Sequence, residues 1–266
     1  MHPIDITMNE KQLALTLTGV IDTQSVQLLI NEIELGFDYY KFSELDLKLN
    51  SPGGEYTAMR NLMDVMTSRK ASNHVIHVHA NQVCASAAAL LLATGHWGSR
   101  SVELDTELLF HWSRVAVPVG QTLTSGGAAN LAYGLSAANQ RVLDRLVSGM
   151  CCGAGSIQKL VGVIAKRLDS LLTSWDDVEM ALRRDSMPRP ARQYEWVKEL
   201  KRQLKRWVSE ADANKLKAGV MAYLKSRFER DSVMDLREAY AICLIDVVKG
   251  VLPVGGAFRP ARICLQ

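Results

Sequence analysis

The sequence has no pair of cysteines at CxxC spacing and no regular cysteine framework. Its five cysteines, Cys84, Cys151, Cys152, Cys243 and Cys264, read as free thiols in a reducing compartment, not as a disulfide scaffold or a zinc ribbon. Charge of one sign is also scarce. A net charge of +3 gives no whole-chain case for nucleic-acid binding and leaves only a local basic patch open. There is no long hydrophobic run. The longest uncharged apolar stretch, Val83–Gly95, is too short and too alanine-rich to span a bilayer. The opening MHPIDITMNEK places Asp5 and Glu10 where a signal peptide needs an apolar core. These absences point to a cytoplasmic protein with no membrane span. What is present is 266 residues with 48% apolar content, enough for one large core, or for one domain with an insertion.

Residues 12–21, QLALTLTGVI, alternate Leu13, Leu15 and Leu17 with Thr16 and Thr18 and predict a first strand. Asp22-Thr23 is an N-cap signal, after which Val26, Leu29, Ile30 and Ile33 recur at helical spacing up to about Gly36. Residues 45–49, LDLKL, predict a second strand. Strand, helix and strand of these lengths imply a crossover connection and an α/β domain. The second strand runs into Asn50-Ser51-Pro52-Gly53-Gly54, and a helix with Met59, Leu62, Met63 and Met66 on one face follows. Pro52 fixes its own φ, while Gly53 and Gly54 permit close backbone approach, so N–H groups at such a turn are able to face a substrate. A tight strand-to-helix connection with no further role explains the same residues.

Residues 74–79, HVIHVH, predict a third strand. His77 and His79 share a face, as a metal site would need, but no acidic or cysteine partner stands at ligand spacing, and solvated strand histidines account for them. In QVCASAAALLLATG, Ser86 sits among small residues from Ala85 to Ala89 that give way to Leu90, Leu91 and Leu92 and close on Gly95. Such a serine is either buried filler or a nucleophile placed where a strand turns into a buried helix. Residues 106–111, TELLFH, predict a fourth strand ending in His111, 25 residues after Ser86.

The segments LNSPGG, ASAAALLLATG and ELLFH, at these separations, resemble the proteolytic subunit of the Clp protease, a serine peptidase of the crotonase-type α/β spiral fold. In that family a strand ends in NSPGG, the nucleophile heads a run of small residues, and the histidine ends a strand. GVIDTQSVQLLINEI is similar to the family's strand-to-helix start. The resemblance implies Ser86 as nucleophile, His111 as general base, the backbone N–H groups of Gly54 and Ala87 as oxyanion hole, and Gly53 as the residue that lets the chain pass close to substrate. Residues 228–248, FERDSVMDLREAYAICLIDVV, resemble the closing segment that carries the family's triad aspartate, through Glu229, Arg230, Asp231, Glu238, Ala239 and Leu244-Ile245-Asp246. That match assigns Asp231. Asp185 is the alternative, because Arg183-Arg184-Asp185-Ser186 repeats the RDS core, but no Glu-Ala or Leu-Ile-Asp follows it. Two positions depart from the family: Gln82 replaces a glycine four residues before the serine, and Ser113 replaces a proline two after the histidine. The short stretch before the first strand implies a shortened or absent N-terminal segment of the kind that meets an AAA+ unfoldase.

Asp231 follows His111 by 120 residues, more than the family's spacing, so an insertion is expected within 113–225. Residues 125–150 predict a long helix hinged at its glycines, similar in position to the handle helix through which Clp rings stack. Leu131, Leu135, Val142, Leu143, Leu146 and Val147 give it an apolar stripe. Residues 156–184 predict one or two helices carrying Ile157, Leu160, Ile164, Leu168 and Leu171, before Pro188 and Pro190 break the chain. Residues 189–230 hold 12 Lys and Arg against five Asp and Glu, 12 − 5 = +7, with Trp196, Leu200, Leu204, Trp207 and Val208 at helical spacing beneath them. That stripe packs on the body or on a neighbouring subunit. The charges make a solvated face, with docking of an acidic partner or nucleic acid as the lesser alternative. The tail, VLPVGGAFRPARICLQ, is expected to be extended. The expected organisation is thus a spiral core over 1–124, a handle helix with a partly basic helical insertion over 125–227, and a closing segment with the tail over 228–266.

The resemblance implies a serine endopeptidase, without metal or cofactor, that cleaves peptides or unfolded proteins inside a homo-oligomeric ring. The alternatives are a catalytically silent ring or assembly subunit, a phage-type maturation protease of the same fold, and a crotonase-type acyl-CoA enzyme, which has no need of a Ser–His pair.

Overall fold

The computed structural model describes residues 6–9, 12–114, 122, 124–182 and 194–249. Within them one sheet contains seven strands: β1 (Ile6–Asn9), β2 (Gln12–Ile21), β3 (Glu44–Gly54), β4 (Val75–Ala85), β5 (Arg100–Glu103), β6 (Glu107–Leu109) and β7 (Val247–Lys249). Hydrogen-bonded neighbours run β1-β2-β3-β4-β5-β7, and β6 pairs with the far end of β4. Only β1 is antiparallel; every other pairing is parallel. Parallel neighbours need crossovers, and α1 (Thr23–Glu34), α2 (Tyr56–Ala71) and α3 (Ala87–Ala93) supply them.

The alternation in the sequence is the alternation of burial. Leu13, Leu15 and Leu17 of β2, Leu45, Leu47 and Leu49 of β3, and Ile76, Val78 and Ala80 of β4 are buried in register beneath the helices. Asp22 caps α1: its carboxylate accepts from the Ser25 N–H at 2.7 Å while the Ser25 hydroxyl accepts from the Asp22 N–H at 3.1 Å. The last turn of α1 loosens into a π-helical stretch, Leu35–Tyr39, that buries Gly36 and Phe37.

Several expectations are corrected. A four-residue edge strand, β1, precedes the strand over 12–21 and is too short to show a period. Ser51-Pro52-Gly53-Gly54 is not a turn but the end of β3, paired through Val20–Gly53, Ile21–Gly54 and Ser51–Cys84. Register shifts on both sides let the ladder accommodate a residue without an N–H. The third strand runs on to Ala85, and β5 intervenes before a three-residue β6, so His111 lies two residues past a strand and does not end one.

The remaining helices are α4 (Ser125–Ala154), α5 (Ile157–Leu182), α6 (Glu195–Val208), α7 (Ala213–Phe228) and α8 (Leu236–Ala241). α4 passes through its glycines unbroken, so no hinge divides it, and the segment after it is one helix where one or two were expected. The C-terminal half of α4 buries Val142, Leu143, Leu146, Val147 and Met150, whereas Leu131 and Leu135 are only half-buried and Tyr133 is 79% exposed. α6 packs on α5 and α7 through Trp196, Leu200, Leu204 and Trp207, but Val208 at its end faces outward. No single helix among the described residues is long and apolar enough to cross a membrane. The tail and Asp185 lie outside the described residues.

Two buried ion-pair clusters tie the helices to the closing segment. Asp246 accepts from Arg100 (Nε at 2.7 Å, Nη2 at 2.8 Å) and from Arg167 of α5 (Nη2 at 2.9 Å). Arg167 also donates to the carbonyls of Tyr240 and Ile245. Burial alone would raise the Asp246 carboxyl pKa, but the two guanidinium groups override it and hold it below the usual range. On α8, the fully buried Glu238 pairs with Arg227 at 2.5 Å and accepts from the Tyr223 hydroxyl at 3.1 Å, both from α7.

Candidate active site

Ser86 occupies the one-residue junction between β4 and α3, at φ 57° and ψ −122°. A side chain rarely adopts this backbone conformation, and its cost persists only where neighbours enforce it. Two neighbours do. The Ser86 N–H donates to the Leu109 carbonyl of β6 at 2.8 Å, and Gly53 closes on the other side. At Gly53 (φ 97°) a Cβ would lie 2.5 Å from Ser86 Cβ, 2.7 Å from the Ala85 carbonyl oxygen and 3.0 Å from the Ala87 nitrogen. Gly53 therefore makes room for the serine itself. Gly54 is pressed against β2, where a Cβ would come 2.0 Å from the Ile21 carbonyl oxygen. Ala87 is the first residue of α3, so its N–H belongs to the first-turn donors that have no intrahelical acceptor. The backbone of β3 and the start of α3 thus converge beside Ser86.

His111 is held from both sides. Phe110 stacks on Phe228 with ring centroids 5.1 Å apart, and Trp112 meets the same ring edge-on at 5.2 Å. Phe228 ends α7, three residues before Asp231. On the other side of that turn, the Met234 N–H donates to the Leu108 carbonyl at 2.7 Å. The segment bearing Asp231 is therefore clamped to the segment bearing His111, with Asp231 at φ 50° on the turn between α7 and α8. Asp231 Oδ1 stands 3.4 Å from His111 Nδ1, and Oδ2 pairs with the Arg114 guanidinium. His111 Nδ1 is buried without a hydrogen-bond partner, because 3.4 Å is a charge contact and too long for a good hydrogen bond. Burial, and then the Arg114 charge, lower the His111 pKa, which favours the neutral imidazole.

Gln82, at the family's glycine position, has φ 54°, the region glycine favours. Its amide oxygen accepts from Asn50 Nδ2 at 2.7 Å, and Asn50 Oδ1 accepts from the Val83 N–H at 3.3 Å, which fastens β4 to β3 just before the serine. Ser113 donates its N–H to Asn139 of α4 at 3.2 Å. Cys84, two residues before Ser86, is buried and its thiol pKa is pushed up, so it is no nucleophile. His77 and His79 have carboxylate neighbours that the sequence separates widely: Glu44 at 3.4 Å and Glu103 at 3.0 Å. His79 also contacts the Ser101 hydroxyl at 3.0 Å.

The structure thus joins His111 to Asp231 and ties Ser86 to the strand that leads to His111. Reasoning from sequence alone missed Arg114, Phe228 and the contact between Gly53 and Ser86. None of these carries a periodic or motif signal; only the neighbouring aromatics of FHW hint at a packed flank.

A parallel α/β sheet with a constrained serine at a strand-to-helix junction is an architecture of the Clp protease type. The family model described as Clp protease matches residues 5–124, so that segment is similar to a Clp protease domain. The match covers Gly54, Ser86, Ala87 and His111 and ends before α4. No curated protein matches the chain. Members of this family form oligomeric rings and act on peptide substrates.

Proposed function

We propose that the chain is a serine endopeptidase that cleaves peptides or unfolded proteins in an oligomeric chamber, with Ser86, His111 and Asp231 as its triad. The observation that carries this reading is the backbone of Ser86. A non-glycine residue held at positive φ on a strand-to-helix turn, with first-turn N–H groups beside it, is the arrangement that exposes a nucleophile next to an anion-stabilising pocket.

In this reading Ser86 Oγ attacks the scissile carbonyl carbon as its proton passes to His111 Nε2. The carbonyl π electrons move to oxygen, and the N–H groups of Ala87 and Gly54 stabilise the resulting oxyanion; one such donor is worth about 3 kcal/mol of barrier. His111 returns the proton to the leaving amine, and the C–N bond breaks to give an acyl-enzyme. Water then repeats the sequence and releases the acid. Asp231 orients the imidazole and stabilises the imidazolium. A lowered His111 pKa keeps the base in its competent form to lower pH than an ordinary histidine.

A fluorophosphonate probe tests this directly. It should label the assembled wild type and leave Ser86→Ala unlabelled; an unreactive, well-folded oligomer would reject the peptidase reading. The gap between His111 Nδ1 and Asp231 favours a second reading, a ring or assembly subunit with a silent site. That reading requires the wild type to be as inert as Ser86→Ala.

A further inference from the structure

Arg114 has no part in the triad chemistry, yet it takes one oxygen of the triad carboxylate. It follows His111 by three residues on the same segment, is 63% exposed, and pairs with Asp231 Oδ2. Oδ1 is left 3.4 Å from His111 Nδ1, a nitrogen that is buried with no other acceptor. A guanidinium is charged at every working pH and forms strong charge-assisted bonds to carboxylate, so it outcompetes a neutral imidazole for the same group. The clamp of Phe228 on Phe110 and Trp112, together with the bond from the Met234 N–H to the Leu108 carbonyl, fixes the backbones. What remains adjustable is which partner the Asp231 side chain serves.

We propose that Arg114 is a positioning residue acting through Asp231: it holds the carboxylate on its guanidinium, keeps the carboxylate–imidazole pair uncoupled, and arms the triad when it is drawn away. This rests on the triad reading above. Among the described residues, the charged groups set against His111 are Arg114, on its own segment, and Asp231, on the turn between α7 and α8. Both consequences of Arg114 run the same way. Its positive charge disfavours the imidazolium, and its grip on Asp231 removes the negative charge that would favour it.

The test is an NMR titration of the His111 ring in the full chain, in wild type, Arg114→Gln and Arg114→Lys, each with and without Asp231→Asn. Arg114→Gln should raise the proton affinity of His111 by about threefold or more, and Arg114→Lys should stay near wild type. In the Asp231→Asn background the rise should shrink, because only the direct charge effect is left. Peptide hydrolysis should follow. Arg114→Gln should increase kcat several-fold in mildly alkaline buffer with little change in KM, and its acid limb should move up with the ring titration. An unchanged or lowered proton affinity in Arg114→Gln overturns the proposal, as does an equal rise with and without Asp231. The ring titrates whether or not the protein turns over, so failure of the serine chemistry is read separately, in the probe experiment.

Discussion

His96 is a residue whose neutrality the fold enforces. Its Nδ1 accepts from the Ile76 N–H at 2.9 Å, which leaves the ring proton on Nε2. Burial first, then the nearby charges of Lys70 and His77, lower its pKa from 6.5 to about 4. In the unfolded chain the ring takes a proton near its ordinary pKa, and in the folded chain only near pH 4. Between these values the unfolded state binds more protons, so stability falls as pH drops through that window. Urea unfolding at about pH 7 and about pH 5 should show the midpoint falling. His96→Asn, whose amide oxygen accepts the same bond without titrating, should flatten that dependence. An equal fall in both proteins would clear His96. Nothing in the sequence around GHWGS marks this residue, because its partner, Ile76, is twenty positions away. The strand-to-helix junction at Ser86 was legible for the opposite reason: its signal is local, written in adjacent small residues.

The same division holds for whole elements. β2, β3 and β4 were legible because each is long enough to show a period of two, and α1 because its cap and its stripe agree. β1, β5 and β7 have four, four and three residues, too few for any period, and only partners distant in sequence make them strands. The cluster of Asp246, Arg100 and Arg167 is of this kind, joining β5, α5 and the approach to β7 across up to 146 residues. Both Asp246 and Arg100 are nearly fully buried. Asp246→Ala leaves two guanidinium groups in the core without a counter-charge and should lower the unfolding free energy by about 3–5 kcal/mol. A loss under about 1 kcal/mol in urea unfolding would mean that water reaches the cluster. The resemblance that selected Asp231 used the Leu-Ile-Asp end of the closing segment as a signature; the structure gives that aspartate its own work, anchoring the strand that follows.

Taken whole, the described chain leaves much of the first ten residues of α4 facing outward. Ala128, Ala129, Ala132, Tyr133 and Gly134 are exposed along it, a narrow surface of small residues around one aromatic ring. Under the proposed oligomeric reading, this face is the expected contact between subunits. Light scattering should give a mass that is a multiple of 29.4 kDa, and Tyr133→Glu, which plants a charge on that face, should shift it to smaller species. A monomer at high concentration would contradict the chamber, though not the chemistry at Ser86.

The distance along the chain between the members of the proposed triad also has a meaning in time. Ser86 and His111 are translated early, while Asp231 comes 120 residues after His111; at roughly 5–20 residues per second that interval is about 6–24 s. The strand that closes the sheet beside β5, and the ion pairs that seat it, come later still. During that interval the nascent chain carries Ser86 and His111 without Asp231, the carboxylate proposed to complete the triad. In the proposed triad, the carboxylate is therefore added only after α4, α5, α6 and α7 have been made.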